Sequence, residues 1–187
     1  MSNDDLFSYM RKCASEKKKV PIRVTSDDVL VIGLSLLINN SDRIVKVLIN
    51  SQGKDQSKLL DALSNKIIIN NVKEFLDDPK REFMVLIDDS KQLKKSDFFE
   101  KLKGKIKLHS IPKKTVDDMD VLKRGVNFVI GDDEALIVGS FQYDNPHNEE
   151  PTIPTFINFF DVSFNKNLSE YFKDVRDRCL NGGVKYA

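Results

Sequence analysis

A segment between Gly125 and Gln142 has the composition and spacing of a β-hairpin that carries polar side chains. It reads GVNFVIGDDEALIVGSFQ. Residues 127–130 and 135–140 are mostly apolar segments of strand length, and residues 131–134 between them have the chemistry of a tight turn. The segment contains no histidine, so an imidazole nucleophile would have to come from elsewhere in the chain.

The chain has two histidines, and neither has an obvious catalytic partner in the sequence. His109 lies in an alternating stretch, residues 105–111, and shares one side of that predicted strand with Lys105 and Lys107. Because a side lined by lysines faces solvent, we expect His109 at the surface. His147 lies in a loop rich in Asn, Pro and Glu, and we expect it to be solvated too.

Lysines are concentrated in residues 91–114, which contain nine of them and two acids, Asp97 and Glu100. The net charge of the whole chain is only +1, so any attraction for nucleic acid would be local. These lysines form either a solvated face or a patch that attracts phosphate groups. They are Lys91, Lys94, Lys95, Lys101, Lys103, Lys105, Lys107, Lys113 and Lys114.

The composition is that of an ordinary globular protein. Hydrophobic residues make up 40% and charged residues 32% of the 187 residues, and we expect one domain over residues 1–187. No apolar run reaches the roughly eighteen residues that span a membrane, and the acidic N-terminus does not resemble a secretory signal. We therefore expect a cytoplasmic protein. Cys13 and Cys179 are predicted to be reduced thiols, and no motif indicates a metal or cofactor site.

The order of apolar patterns predicts an α/β fold with a mixed sheet and helices on both faces. Residues 44–49 and 83–87 are predicted strands, and the second, with five apolar residues in a row, should be central. Residues 66–70 are predicted as a short strand. Ser96 is expected to cap a helix, and Asn165 is expected to cap the last one.

Residues 125–142 resemble the catalytic signature of the phospholipase D superfamily. That signature is His-x-Lys, four residues, Asp, six residues, Gly-Ser, and then x-Asn. The order of elements in residues 81–180 also resembles the family, whereas residues 1–80 are only generically α/β. In this chain the six corresponding positions are Gly125 and Asn127 for His and Lys, Asp132 for Asp, Gly139-Ser140 for Gly-Ser, and Gln142 for Asn.

The departures from the signature decide what the resemblance implies. In the family the histidine attacks phosphorus, and lysine neutralises the phosphoryl oxygens. Gly125 has no side chain and Asn127 brings no charge, so we expect no active phosphodiesterase. Asp132, Ser140 and Gln142 either hold the hairpin together or, with Asn127 and nearby lysines, form a polar pocket for a phosphate or sugar.

Three functions remain open at this point. The first is a non-catalytic binding or adaptor module whose partner is nucleic acid or another protein; members with one motif per chain often pair, so a homodimer is expected. The second is a divergent phosphodiesterase or nuclease that uses His109 or His147. The third is a domain that senses a sugar or nucleotide.

Overall fold

The structure alternates helices and strands along most of the chain and ends with a hairpin, a short strand and a long helix. It is a computed structural model that describes residues 3–51, 57–88, 90–141 and 153–181. The strands are β1 (Ile22–Arg23), β2 (Ile44–Ile49), β3 (Glu82–Ile87), β4 (Lys107–Ser110), β5 (Asn127–Gly131), β6 (Ala135–Gly139) and β7 (Phe156–Asn158). The helices are α1 (Asn3–Ser15), α2 (Asp27–Asn39), α3 (Lys58–Leu63), α4 (Lys66–Phe75), α5 (Ser90–Lys94), α6 (Asp97–Leu102), α7 (Lys113–Asp118), α8 (Asp120–Lys123) and α9 (Val162–Asn181).

The seven strands form one mixed sheet in the order β1-β7-β6-β5-β2-β3-β4. Strands β2, β3 and β4 are parallel, whereas β5 is antiparallel to β2. Strands β6, β7 and β1 continue the antiparallel half. The predicted mixed α/β sheet is therefore confirmed. In this order β4 and β1 are the two edge strands.

Helices cover both faces of the sheet, as predicted. Phe83, Val85 and Ile87 of β3 point into a core shared with α1, α2, α3, α4 and α6. Met84 and Leu86 point into the opposite core, which contains residues of α8 and α9. A strand buried on both faces is expected to be apolar throughout, so the apolar run in β3 follows from its burial, although β3 is not central as predicted but lies next to the edge strand β4.

The prediction of a short strand at residues 66–70 was wrong, because this segment begins α4. Consecutive isoleucines favour a strand when considered alone. Asn65, however, caps a helix here, since its side-chain oxygen accepts a hydrogen bond from the amide of Ile67 at 2.9 Å. The buried residues then recur at helical spacing, with Ile68, Ile69 and Val72 inward and Ile67 outward at 55% exposure.

The prediction that Asn165 caps the last helix was also wrong. Helix α9 begins at Val162, and the Asp161 carboxylate accepts a hydrogen bond from the amide of Phe164 at 3.3 Å. Asn165 lies inside the helix and is fully buried. Its side-chain amide donates to the carbonyl oxygens of Gly131 at 3.3 Å and Ala135 at 2.8 Å. This asparagine therefore attaches α9 to the turn between β5 and β6.

At Gly139 the end of β6 packs directly against the segment that precedes β7. A Cβ atom at this position would lie 2.5 Å from the Cα of Thr155 and 2.7 Å from the carbonyl oxygen of Pro154. Both contacts are with backbone, which cannot move aside as a flexible side chain could. Glycine is therefore required here for close approach of two chain segments.

We predict that Gly139→Ala lowers the free energy of unfolding by about 3 kcal/mol, as expected for forced overpacking. Gly104→Ala is the matched control: Gly104 also has positive φ, at 80°, but nothing lies within 4 Å of its added Cβ. Only conformational strain of about 1 kcal/mol is expected there. Urea denaturation of both variants measures the difference, and equal losses would contradict the packing argument.

Candidate functional site

The predicted hairpin forms, and it places Asn127 and Ser140 at the same end. Strands β5 and β6 pair antiparallel with Asn127 opposite Gly139. Because β5 is also antiparallel to β2, this end adjoins the C-terminal ends of β2 and β3. We call this end the carboxyl edge and define it by Asn50, Asp88, Asn127 and Ser140. In α/β sheets, ligands bind at the carboxyl ends of parallel strands, so this edge is the first candidate site.

Gly125 occupies a helix-terminating position at the carboxyl edge. Its φ is +67°, in the left-handed region that favours glycine, and its amide donates to the carbonyl oxygen of Leu122 at 2.9 Å. The position that matches the nucleophile of the phospholipase D signature is therefore used to end α8. A side chain at Gly125 would strain the backbone, whatever its chemistry.

Asn127 is buried, with 4% exposure, and both ends of its amide bond to backbone. Its oxygen accepts from the amide of Asn50 at 2.6 Å, and its nitrogen donates to the carbonyl oxygen of Gly125 at 2.9 Å. The side chain of Asn50 donates in turn to the carbonyl oxygen of Leu122. Asn127 therefore connects β2, β5 and the end of α8, an arrangement that leaves little of it for a ligand.

A carboxylate lies at the carboxyl edge beside these asparagines. Asp88 follows β3 and accepts hydrogen bonds from the amide of Ser51 at 2.9 and 3.0 Å and from the Ser51 hydroxyl at 3.0 Å. Sequence reasoning missed this pair, although a polar residue directly after each of two apolar strands is a signal for it. A negative charge here opposes the binding of a phosphate.

Ser140 links the hairpin to the segment that leads into β7. Its hydroxyl donates to the carbonyl oxygen of Ile153 at 2.8 Å, and its amide donates to the same oxygen at 3.1 Å. The next amide, of Phe141, donates to the hydroxyl of Thr155 at 2.9 Å. The Gly-Ser pair of the predicted motif is thus part of a backbone junction. Gln142 lies outside the described residues.

Asp132 lies at the opposite end of the hairpin from Asn127. Five strand positions at about 3.3 Å each separate the two by roughly 16 Å. The Asp132 carboxylate accepts hydrogen bonds from three successive amides, those of Asp42 at 2.5 Å, Arg43 at 2.9 Å and Ile44 at 2.9 Å. It therefore holds the entry of β2 against the hairpin turn, and the structure does not bring it together with Asn127 and Ser140.

His109 does not lie near Gly125. His109 on β4 pairs in register with Leu86 on β3. Leu86 pairs with Leu48 on β2, and Leu48 pairs with Phe128 on β5. Three strand spacings of about 4.8 Å give a separation of roughly 14 Å from Phe128. His109 is half-buried rather than fully exposed, because α9 contacts that face of β4. His147 lies outside the described residues.

All nine lysines of the predicted basic patch are exposed, and they belong to β4 and to the segments that precede and follow it in the chain. They lie on α5, at the end of α6, on and before β4, and at the start of α7. Lys101 pairs with Asp97 at 3.7 Å and Lys107 with Glu82 at 2.7 Å. The lysines that form no ion pair with any residue in the described ranges are Lys94, Lys95, Lys103, Lys105, Lys113 and Lys114.

Neither a metal site nor a membrane span is found in the part of the chain that the structure describes. Its His, Cys, Asp and Glu residues form no group of three or more that could hold a metal ion. None of its helices is long and apolar enough to cross a bilayer. Cys13 and Cys179 are free thiols, and burial raises the pKa of Cys179.

Comparison with solved structures identifies the fold. TrmBL2, described as an archaeal chromatin protein whose structure shows a novel mode of DNA binding, is 13% identical with a TM-score of 0.56. The match covers 94% of this chain and 59% of that one, so the chain spans less than two thirds of TrmBL2. Nuc from Salmonella typhimurium, a phospholipase D family member, is 13% identical with a TM-score of 0.51 over 84% of this chain and 95% of that one.

A third neighbour is phosphatidylserine synthase from Haemophilus influenzae Rd KW20, at 13% identity and a TM-score of 0.50 over 88% of this chain and 40% of that one. The sequence matches no protein-family model and no curated protein. Identities this low establish architecture alone. The chain has a phospholipase D-like α/β fold, which confirms the predicted fold class.

We predict that Asp132→Ala lowers the free energy of unfolding by about 2 kcal/mol, because three amides lose a charged acceptor. Asp133→Ala is the control: its carboxylate pairs with Arg43 at 2.5 Å, but both side chains are about 70% exposed. An exposed pair contributes little to stability, because solvent screens it. Chemical denaturation distinguishes the two, and an Asp132→Ala variant as stable as Asp133→Ala would contradict a structural role.

Proposed function

We propose that the protein is a non-catalytic phospholipase D-like module that binds the phosphate backbone of nucleic acid through the lysines around β4. The observation that carries this proposal is the set of six exposed lysines that form no ion pair among the described residues. An exposed ammonium group without a carboxylate partner is available to a phosphate. Binding of this kind depends on charge and does not depend on base sequence.

The carboxyl edge supports the absence of catalysis. Gly125 supplies no nucleophile, and Asn127 is buried and bonded to backbone at both ends of its amide. Asp88 adds a negative charge where the family's mechanism needs positive charge. His109 lies about 14 Å from the hairpin by strand spacing. Positions 125 and 127, which match the histidine and lysine of the signature, therefore supply neither reactive group of a phosphohistidine mechanism.

Edge protection is the competing explanation for the lysines. Charged residues on an edge strand discourage pairing with a second chain, and β4 is such a strand. This explanation accounts for Lys107, on the strand, and for Lys105, just before it. It does not account for Lys94 and Lys95 at and just after the end of α5, or for the lysines that begin α7, because these lie outside the edge strand.

The structural neighbours are consistent with a nucleic-acid partner. TrmBL2 is described as binding DNA, and it shares this fold over most of the present chain. At 13% identity the likeness gives no residue correspondence, so the lysines are what supports a nucleic-acid partner. We also propose that the protein forms a homodimer. The mass of the purified protein in solution, measured with and without nucleic acid, tests this.

We predict salt-dependent binding to single- or double-stranded DNA, measured by fluorescence anisotropy between 50 and 200 mM salt as a rough working range. Replacing Lys94 and Lys95 by glutamine should weaken binding and lower the slope of log K against log salt by about two. The matched control replaces Lys66 and Lys80, which are exposed elsewhere, and removes the same charge. Its slope should stay unchanged.

Two results would overturn the nucleic-acid proposal. One is the absence of measurable affinity at the lowest salt, which would point to a protein partner. The other is an equal loss of affinity in the two double variants, which would mean that net charge alone governs binding. In either case the lysines around β4 would be a solvated, protective face.

We also predict no hydrolysis of a nitrophenyl phosphodiester or of single-stranded DNA above the buffer rate. Introducing histidine and lysine together, as Gly125→His with Asn127→Lys, should not create turnover. The backbone at Gly125 is left-handed, and the buried site of Asn127 does not accommodate a charge. Turnover by the natural chain that His109→Ala abolishes would show instead that this is a divergent phosphodiesterase.

A further inference from the structure

A second site lies away from the carboxyl edge, in a cavity between α9 and β2. Its volume is about 500 Å³, within the range of cavities that hold small organic ligands. It opens beside the turn of the β5–β6 hairpin, since Asp133 of that turn lines it. The lining residues are Lys46, Asp133, Val162, Lys166, Ser169, Glu170, Phe172, Lys173 and Arg176.

Lys46 is an unusual residue for its position in the sheet. It is half-buried on β2, and its ammonium group donates to the hydroxyl of Ser169 at 3.3 Å. It forms no ion pair with any residue in the described ranges. Burial lowers the pKa of Lys46, because desolvation disfavours the charged form. A half-buried ammonium group that lacks a carboxylate is destabilising unless an anion binds to it.

Arg176, also on α9, has a hydrogen-bond donor without a partner among the described residues. Its Nε atom is buried and has no hydrogen-bond partner among the residues that the structure describes. Its Nη2 atom donates to the neighbouring Asp177 at 3.2 Å. Buried donors are rarely left without an acceptor, so this Nε–H indicates a missing partner. Lys166 and Lys173, which are exposed, add two further positive charges at the rim.

Neither of the two carboxylates that line the cavity forms an ion pair with Lys46. Asp133 pairs with Arg43 at 2.5 Å, which raises the pKa of the Arg43 guanidinium, so much of its charge is already balanced. Glu170, Lys166 and Lys173 are all exposed at the rim, so solvent screens these three charges alike. Arg176 is paired with Asp177, so Lys46 is the half-buried cation of this cavity that has no ion pair among the described residues, and the Nε–H of Arg176 is an unpartnered donor in the same lining. Phe172 and Val162 supply apolar surface next to it.

We propose that this cavity binds a small phosphomonoester whose phosphate contacts Lys46 and Arg176 and whose organic part packs against Phe172 and Val162. A phosphate supplies acceptor oxygens for the ammonium group and for the unpartnered Nε–H at once. Inorganic phosphate alone would leave most of the volume empty, so an organic substituent should strengthen binding. The site does not depend on the nucleic-acid proposal, because its residues and the lysines around β4 are different.

Thermal unfolding with phenyl phosphate tests the proposal, with inorganic phosphate, sodium chloride at matched ionic strength and benzyl alcohol as comparison probes. A ligand that binds only the folded state at 100 times its Kd should raise the Tm by about 5 °C or more. Phenyl phosphate should give the largest rise, inorganic phosphate a smaller one, and the other two none. Calorimetric titration should then give one site per chain.

Lys46→Met is the decisive variant, because methionine preserves the length of the side chain and removes its charge. We expect it to unfold at the same or a higher temperature without ligand and to lose the phenyl phosphate shift. Lys66→Met, on the exposed surface of α4, is the matched control and should keep the full shift. Arg176→Gln should reduce the shift while the protein remains folded.

The proposal is overturned if phenyl phosphate does not stabilise the natural chain, or if Lys46→Met keeps the full shift. It is also overturned if sodium chloride reproduces the effect, since that would be general screening. The double replacement of Lys94 and Lys95 should leave the phenyl phosphate shift unchanged. Failure of nucleic-acid binding and failure of this site are therefore separate results.

Discussion

The antiparallel pairing of β5 with β2 is the contact on which the rest of the structure depends. It joins the parallel half of the sheet to the hairpin half, and every strand lies on one side of it or the other. Side chains reinforce the pairing at both ends: Asn127 bonds to the backbone at the end of β2, and Asp132 bonds to the backbone at its beginning. Two polar residues thus fix the register of the central strands.

This constraint explains how a segment can resemble a catalytic signature without its reactive groups. Asn127, Asp132, Gly139 and Ser140 each have a structural partner, and those partners are mostly backbone atoms. A hydrogen bond or close contact with backbone requires a particular residue type at each of these positions, whether or not a substrate binds. The spacing of the motif is therefore compatible with a scaffold that is maintained for its geometry.

The sequence predicted the elements whose patterns were long or had clear ends. The apolar run of β3, the hairpin and the Ser96 cap of α6 were all recognised, the last confirmed by a 3.2 Å hydrogen bond from Phe99. The start of α4 was missed because three isoleucines favour a strand locally, whereas the Asn65 cap and burial against α2 favour a helix. Tertiary contacts therefore determined that this segment is a helix.

The candidate sites were harder to predict than the fold. Residues close in sequence, such as Asn127 and Asp132, lie at opposite ends of a strand. The alternation of side chains along β4 predicted which side His109 is on, but it did not show that α9 contacts that side. The cavity at Lys46 was not foreseen, because its residues come from β2, the hairpin turn and α9. Only the packing of α9 across the sheet brings them together.

The two ends of the sheet also limit how copies of this chain can assemble. At one end β4 is accompanied by lysines, and at the other β1 contains only two residues. Neither edge offers the long, uncharged ladder of amides and carbonyls that fibril growth requires. Strand-by-strand polymerisation is therefore disfavoured at both ends of the described sheet.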